Sequence, residues 1–375
     1  MFLDALPLNR NGKVDRSALP VPESGRPDLE AGYVPPETPN EWAIAAIWTE
    51  VLGVDPIGRH DNFFELGGDS LLSLQVIAKA REAGIHLTPR ILFQHQTLAT
   101  VAEGQHLENG QPRDGGSGLV YLNRSGASRT MFWHHEIGGA VTGYLTLARA
   151  LRNDARMIGV ESVALPAAGT DLAAMAYEYA DAMRRLDPHG PYLLGGWSIG
   201  GVIAFEVARA LQGMGARVAG LFLLDSALPI GEPGQRYLAN ESMLSTLIAM
   251  ITSGDWETIS RSPEFLHGVT ELALPDELRL LGAPEMHRRL EVMRAHCRAV
   301  VNYRPSRIDC EAVLYRARES AWHSAPEDTW EPFVERLTVR TVPGDHHSLL
   351  RHPDVEVLAG LIMADVARLL PDAEV

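Results

Sequence analysis

The chain has 375 residues, 46% of them hydrophobic, which is enough for more than one buried core. Its 33 basic and 48 acidic side chains leave a net charge of −15, which argues against nucleic acid or an anionic membrane surface as a partner. Two cysteines, Cys297 and Cys310, give neither a disulfide framework nor metal-ligand spacing, so no metal site and a cytoplasmic setting are expected.

In chain order, residues 1–20 (MFLDALPLNRNGKVDRSALP) carry no signal-peptide pattern, and Met1 stands directly before what reads as the interior of a longer chain. Residues 21–36 form a proline-rich linker without apolar periodicity. Residues 37–105 read as a small helical unit. Ala43, Ile44, Ile47, Trp48, Val51 and Leu52 recur at helical spacing, a second helix starts at about Ser70 in DSLLSLQVIAKAREAG, and a third lies in TLATVAEGQ. Ser70 follows Gly67-Gly68-Asp69, and on its own reads as a helix N-cap. The cap does not explain why Phe63, Phe64 and Leu66 crowd this glycine corner.

After a polar, glycine-rich linker at 106–118, the pattern in 119–375 changes to strands alternating with helices. MFWHHE, RMIGVES, YLLGGWS, VAGLFLLD, CEAVLYRA and LTVRTVPG read as strands, and YLTLARALR, LAAMAYEYADAMRRL, GGVIAFEVARALQGM and VEVLAGLIMADVARLL as helices. Such alternation predicts a mostly parallel sheet covered on both faces. Helical, irregular sequence at about 228–300 interrupts the rhythm and is a candidate lid.

Gly196-Trp197-Ser198-Ile199-Gly200 fits G-x-S-x-G at a strand-to-helix turn, where a serine hydroxyl stands exposed at the sheet edge beside helix amides. Serine needs a base, and in this chain order the histidine comes last. The loop GDHHSLL offers His346 and His347, with His346 preferred because it directly follows the Gly344-Asp345 turn. Asp225 ends an apolar strand, where a carboxylate is costly to bury without a partner, so it is the expected orienting acid. Asp345 is a rival, weakened by its adjacency to His346. The oxyanion of an acyl-transfer intermediate needs two amides, for which Ile199 and, in HHEIGGA, Ile137 are the candidates.

Three resemblances join these readings. DNFFELGGDSLLSLQVI resembles the peptidyl carrier protein motif of nonribosomal peptide synthetases, which implies a small all-α four-helix bundle bearing 4′-phosphopantetheine on Ser70. LPLNRNGKVDRSALP is similar to the last motif of an adenylation domain, in which Lys13 would bind the adenylate. WSIGG, LLDS and GDHHSLLRHP resemble the nucleophile, acid and base segments of the terminal thioesterases, α/β-hydrolases with a helical lid insertion. The resemblance implies a peptidyl thioester substrate, upstream adenylation and condensation domains, and a phosphopantetheinyl transferase. It implies release by hydrolysis, cyclisation or oligomerisation through an acyl-Ser198 ester. One departure stands out: the family has His-Pro before the oxyanion-loop glycines, where this chain has His135-Glu136. A carrier and docking module, or an ordinary esterase, would be the competing functions.

Overall fold

The computed structural model describes residues 32–68, 70–85, 87, 91–92, 95–107, 118–123, 127–162, 171–230, 232–253, 258, 262–271, 283–301, 303–320 and 330–371. The adenylation-like segment with Lys13 lies outside them. The chain divides into two compact units, Met1–Gln111 and Pro112–Val375.

In the first unit, α1 spans Pro39–Leu52. Thr38 caps it by accepting the Glu41 amide at 3.1 Å, Pro39 pre-sets the first turn, and Gly53 closes it in the left-handed region. The stripe of Ile44, Ile47 and Trp48 is buried, and Trp48 packs on Phe63 with ring centroids 5.1 Å apart. Helices α2 (Ser70–Glu82) and α3 (Leu98–Leu107) add Val76, Leu98 and Val101 to this core. Three helices of the first unit are given among the described residues, and the expected four-helix bundle is not established by them. Phe63 accounts for the glycine corner: a side chain at Gly68 would lie 2.4 Å from its ring. The corner is tight because an aromatic anchors it from beneath.

The second unit is built on a seven-stranded sheet of order β1-β3-β2-β4-β5-β6-β7. The strands are β1 (Leu119–Tyr121), β2 (Thr130–His134), β3 (Arg156–Val160), β4 (Tyr192–Trp197), β5 (Val218–Leu224), β6 (Glu311–Ala317) and β7 (Arg336–Val342). All neighbours pair in parallel except β1, which runs antiparallel to β3. The six strands expected from sequence are β2 to β7; β1 was missed because three residues carry no periodicity to detect.

Helices α4 (Leu145–Ala150), α5 (Leu172–Leu186), α6 (Ile199–Gly213) and, at the end, α10 (Asp354–Leu369) flank the sheet, α5 packing on α6 and α4 on α10. The expected insertion between β5 and β6 is represented by α7 (Glu232–Ser253), α8 (Pro263–Glu271) and α9 (Ala283–Val301). Leu244, Leu247, Phe265, Leu290, Met293 and Cys297 tie these helices into the main buried cluster. Among the described residues no helix is long and apolar enough to cross a membrane.

The turn from β4 into α6 is compact enough to make Gly196 indispensable. A β-carbon there would stand 2.0 Å from the backbone of Gly200, which cannot step aside. Gly196→Ala is therefore expected to cost roughly 2–3 kcal/mol of stability, near the upper end for overpacking, which calorimetry would read as a fall in Tm of about 4–12 °C.

Candidate active site

The sheet register brings the sequence-predicted residues together. Trp197 on β4 pairs with Leu224 on β5, and Leu224 with Tyr315 on β6, so Ser198 and Asp225 each follow the last residue of adjacent strands. The Ser198 amide donates to the Leu224 carbonyl at 3.0 Å and the Asp225 amide to that of Tyr315 at 2.8 Å, pinning both at the carboxyl edge. Both adopt positive φ, 57° for Ser198 and 43° for Asp225; with ψ at −126°, the serine occupies backbone space that L-residues rarely hold. Ser198 heads α6, whose first amides precede the helix's own i−4 ladder, the Gly201 amide turning back to the Ser198 carbonyl at 3.1 Å. The amide of Ile199, the next residue, is among these.

The loop after β7 carries His346 to the same edge. Its Nδ1 lies 2.7 Å from Asp225 Oδ2, with both side chains buried. A carboxylate only accepts, so this contact fixes the proton on Nδ1 and leaves Nε2 as the basic nitrogen. Asp225 has two further donors, the Ala317 amide on Oδ1 at 2.9 Å and the Ser320 hydroxyl on Oδ2 at 2.6 Å. Trp197 donates from Nε1 to the His346 carbonyl at 2.8 Å, locking the histidine loop to the serine's strand. Tyr144 bridges the same edge, donating to the His134 carbonyl and accepting the Trp197 amide, each at 2.7 Å.

The rivals are accounted for by their own bonds. Asp345 accepts the amides of His347 and Ser348 at 2.8 Å, and these hold its carboxyl below the usual range; it is a turn cap. His347 is exposed, and partial desolvation, then the neighbouring His346, lower its pKa. Ser320 and Tyr144 were not foreseen, since nothing in their spacing marks them as neighbours of a site assembled across the sheet; Trp197 was read only as part of the turn.

In the loop after β2, the Glu136 amide donates to Ala140, that of Gly138 to Glu136 Oε2 at 2.6 Å, and that of Gly139 to the Glu136 carbonyl. The Ile137 amide, between these, has no acceptor among the described residues.

Three buried histidines surround this loop. Burial lowers His134 and His296 to about 4, and burial together with nearby His296 takes His135 well below the usual value. A folded pKa below the unfolded one means the unfolded chain binds the extra protons, so stability is intact above about pH 6.5 and drains away as the pH falls towards 4. Half-buried Glu136, whose pKa desolvation raises, pulls the other way. The net loss between pH 7 and 5 is expected to be on the order of 2–4 kcal/mol. Thermal unfolding at the two values checks it; an unchanged midpoint would mean that these rings reach water or a charge partner.

Ser70 is the first residue of α2. The helix start matches the sequence reading, while its side chain is outside what is described.

Comparison with known proteins bears on both units. The thioesterase domain family matches residues 129–365, and the phosphopantetheine attachment site family residues 42–104. The dimodular nonribosomal peptide synthase of Bacillus subtilis (strain 168) is 30% identical over 375 residues, covering 96% of this chain and 15% of that protein. Tyrocidine synthase 3 of Brevibacillus parabrevis is 40% identical over 225 residues, 60% of this chain and 3% of its own length. Among solved structures, holo-AB3403, a four-domain nonribosomal peptide synthetase bound to AMP and glycine, matches 98% of this chain and 28% of its own at 27% identity and a TM-score of 0.57. The chain thus spans only a small part of each relative. With well over half of its length in one matched family and the helical unit before it in the other, the chain belongs to the thioesterase family of α/β-hydrolases, carried behind a 4′-phosphopantetheine attachment domain as in the nonribosomal peptide synthetases.

Proposed function

We propose that the chain is the releasing end of a nonribosomal peptide synthetase, in which a peptidyl thioester borne from Ser70 is transferred to Ser198 and then discharged. The observation that carries this reading is the His346–Asp225 bond of 2.7 Å at the sheet edge where the strained Ser198 turn stands. His346 Nε2 takes the proton as Ser198 Oγ attacks the thioester carbonyl, and Asp225 stabilises the imidazolium. The amides of Ile199 and Ile137 receive the oxyanion. His346 returns the proton to the leaving thiolate and then activates the second nucleophile. Water gives a linear acid, an amine or hydroxyl of the same peptide a ring, and that of another peptide an oligomer. The helices between β5 and β6 act as the lid that decides among these by admitting or excluding water.

Ser70 suits its group: a hydroxyl residue begins a helix whose N-terminal amides favour a phosphodiester, on a corner fixed by Phe63 under Gly68. When bound, 4′-phosphopantetheine supplies a thiol on a flexible arm. A phosphopantetheinyl transferase would install it, and upstream adenylation and condensation domains would load it. Intact mass after incubation with coenzyme A and a transferase, followed by a fluorophosphonate serine probe, tests both assignments. The arm should add to the parent and not to Ser70→Ala, and the probe should add to the parent and not to Ser198→Ala; addition to either variant would sink the corresponding role.

A further inference from the structure

The departure at Glu136 has a structural answer. The planar peptide unit between Ile137 and Gly138 is held at both ends: its carbonyl accepts from His296 Nδ1 at 2.7 Å, and its N–H donates to Glu136 Oε2 at 2.6 Å. His296 Nε2 is buried without a partner among the described residues, and a carbonyl can only accept, so the ring is the neutral Nδ1–H tautomer. Its face stacks on His135, with centroids 4.6 Å apart, and His135 Nε2 accepts from the Tyr179 hydroxyl at 3.0 Å. Neither ring is at liberty to turn.

His296 belongs to α9, the last helix of the insertion, and it does not reach the loop alone. Arg289 of α9 is the opposite charge that acts on Glu136, and a side chain placed on Gly139 would meet Val292 Cγ1 at 3.1 Å. Positions 289, 292 and 296 lie on one face of a helix, so α9 rests along the loop with a single face. The amide next to the clamped unit is that of Ile137, which has no acceptor among the described residues. Fixing the Ile137–Gly138 plane sets the ψ of Ile137 and, through it, limits where its own N–H can point.

We propose that Glu136 and His296 are positioning residues for the release reaction: together they hold the Ile137–Gly138 peptide plane, do by hydrogen bonds what proline does by its ring, and make the oxyanion hole depend on a docked α9. This rests on Ser198 and Ile137 acting as described under the proposed function. A misdirected oxyanion donor weakens binding of the transition state and leaves substrate binding alone, so the loss belongs in kcat.

The test uses the full chain and hexanoyl N-acetylcysteamine thioester as the probe, with thiol release measured for the parent, Glu136→Ala, Glu136→Gln, His296→Leu, His296→Asn and Ser198→Ala. Glu136→Ala and His296→Leu are expected to lose about 10- to 100-fold in kcat with KM within about threefold. Gln keeps the acceptor and Asn keeps a donor where Nδ1 stands, so each should restore most of the loss. Because both residues hold one plane, the double variant Glu136→Ala/His296→Leu should lose less than the product of the two single losses. Losses confined to KM, Gln and Asn no better than Ala and Leu, or strictly multiplicative losses would each overturn the clamp. If Ser198→Ala matches the parent, the underlying reading falls and the clamp with it; if Ser198→Ala is inactive while Glu136→Ala and His296→Leu equal the parent, the clamp alone is refuted.

Discussion

Replacing Ser198 by alanine is expected to slow acyl release by about 10⁶-fold, the scale on which a triad nucleophile is missed when it is removed alone. The amides and the buried His346–Asp225 pair would remain, but no oxygen would occupy the strained turn at the head of α6 to form the ester. An acyl group delivered by a transferase onto the parent should leave within the dead time of mixing, whereas on Ser198→Ala it should persist until spontaneous hydrolysis removes it. Intact mass over time separates the two. Equal decay from both proteins would mean that the second unit does not release that substrate, and longer peptides would then be required to restore the difference.

Asp225→Asn carries the second-largest effect, a loss of about 10⁴-fold in kcat with little change in fold. The mechanism is local. Asp225 accepts at both oxygens, from His346 and Ser320 on Oδ2 and from the Ala317 amide on Oδ1. An asparagine must keep its oxygen towards some of these donors and turn its NH₂ towards another. If the NH₂ faces Nδ1, the imidazole is forced into the wrong tautomer, with its proton on the nitrogen that should act as base. Stopped-flow release with the pH varied would check this. A loss below about tenfold would place the orienting acid elsewhere, with Asp345 excluded by its own turn bonds.

Most of this architecture could be read before any coordinates, because strand-helix alternation and the Gly196–Gly200 turn are local signals with physical causes. The order Ser198, Asp225, His346 was legible for the same reason: each residue ends or follows a strand, and parallel strands deliver their carboxyl ends to one edge. What escaped were contacts with no sequence periodicity. Ser320 meets Asp225 from 95 positions away, and Trp197 meets His346 from 149. The oxyanion loop was half legible. The missing proline was visible as a question, whereas the answer lies in a helix 159 residues downstream, where His296 had no feature to set it apart from the other thirteen histidines.

The backbone of Ser198 sets catalysis against durability. At φ 57° and ψ −126° only glycine is at ease, and a residue with a β-carbon costs on the order of 1–3 kcal/mol there. An inactive Ser198→Gly protein should therefore melt above the active one. In any collection of thermostable variants chosen without an activity screen, this position should be among the first to lose its hydroxyl, so heat resistance alone would select for a domain that can no longer let its product go.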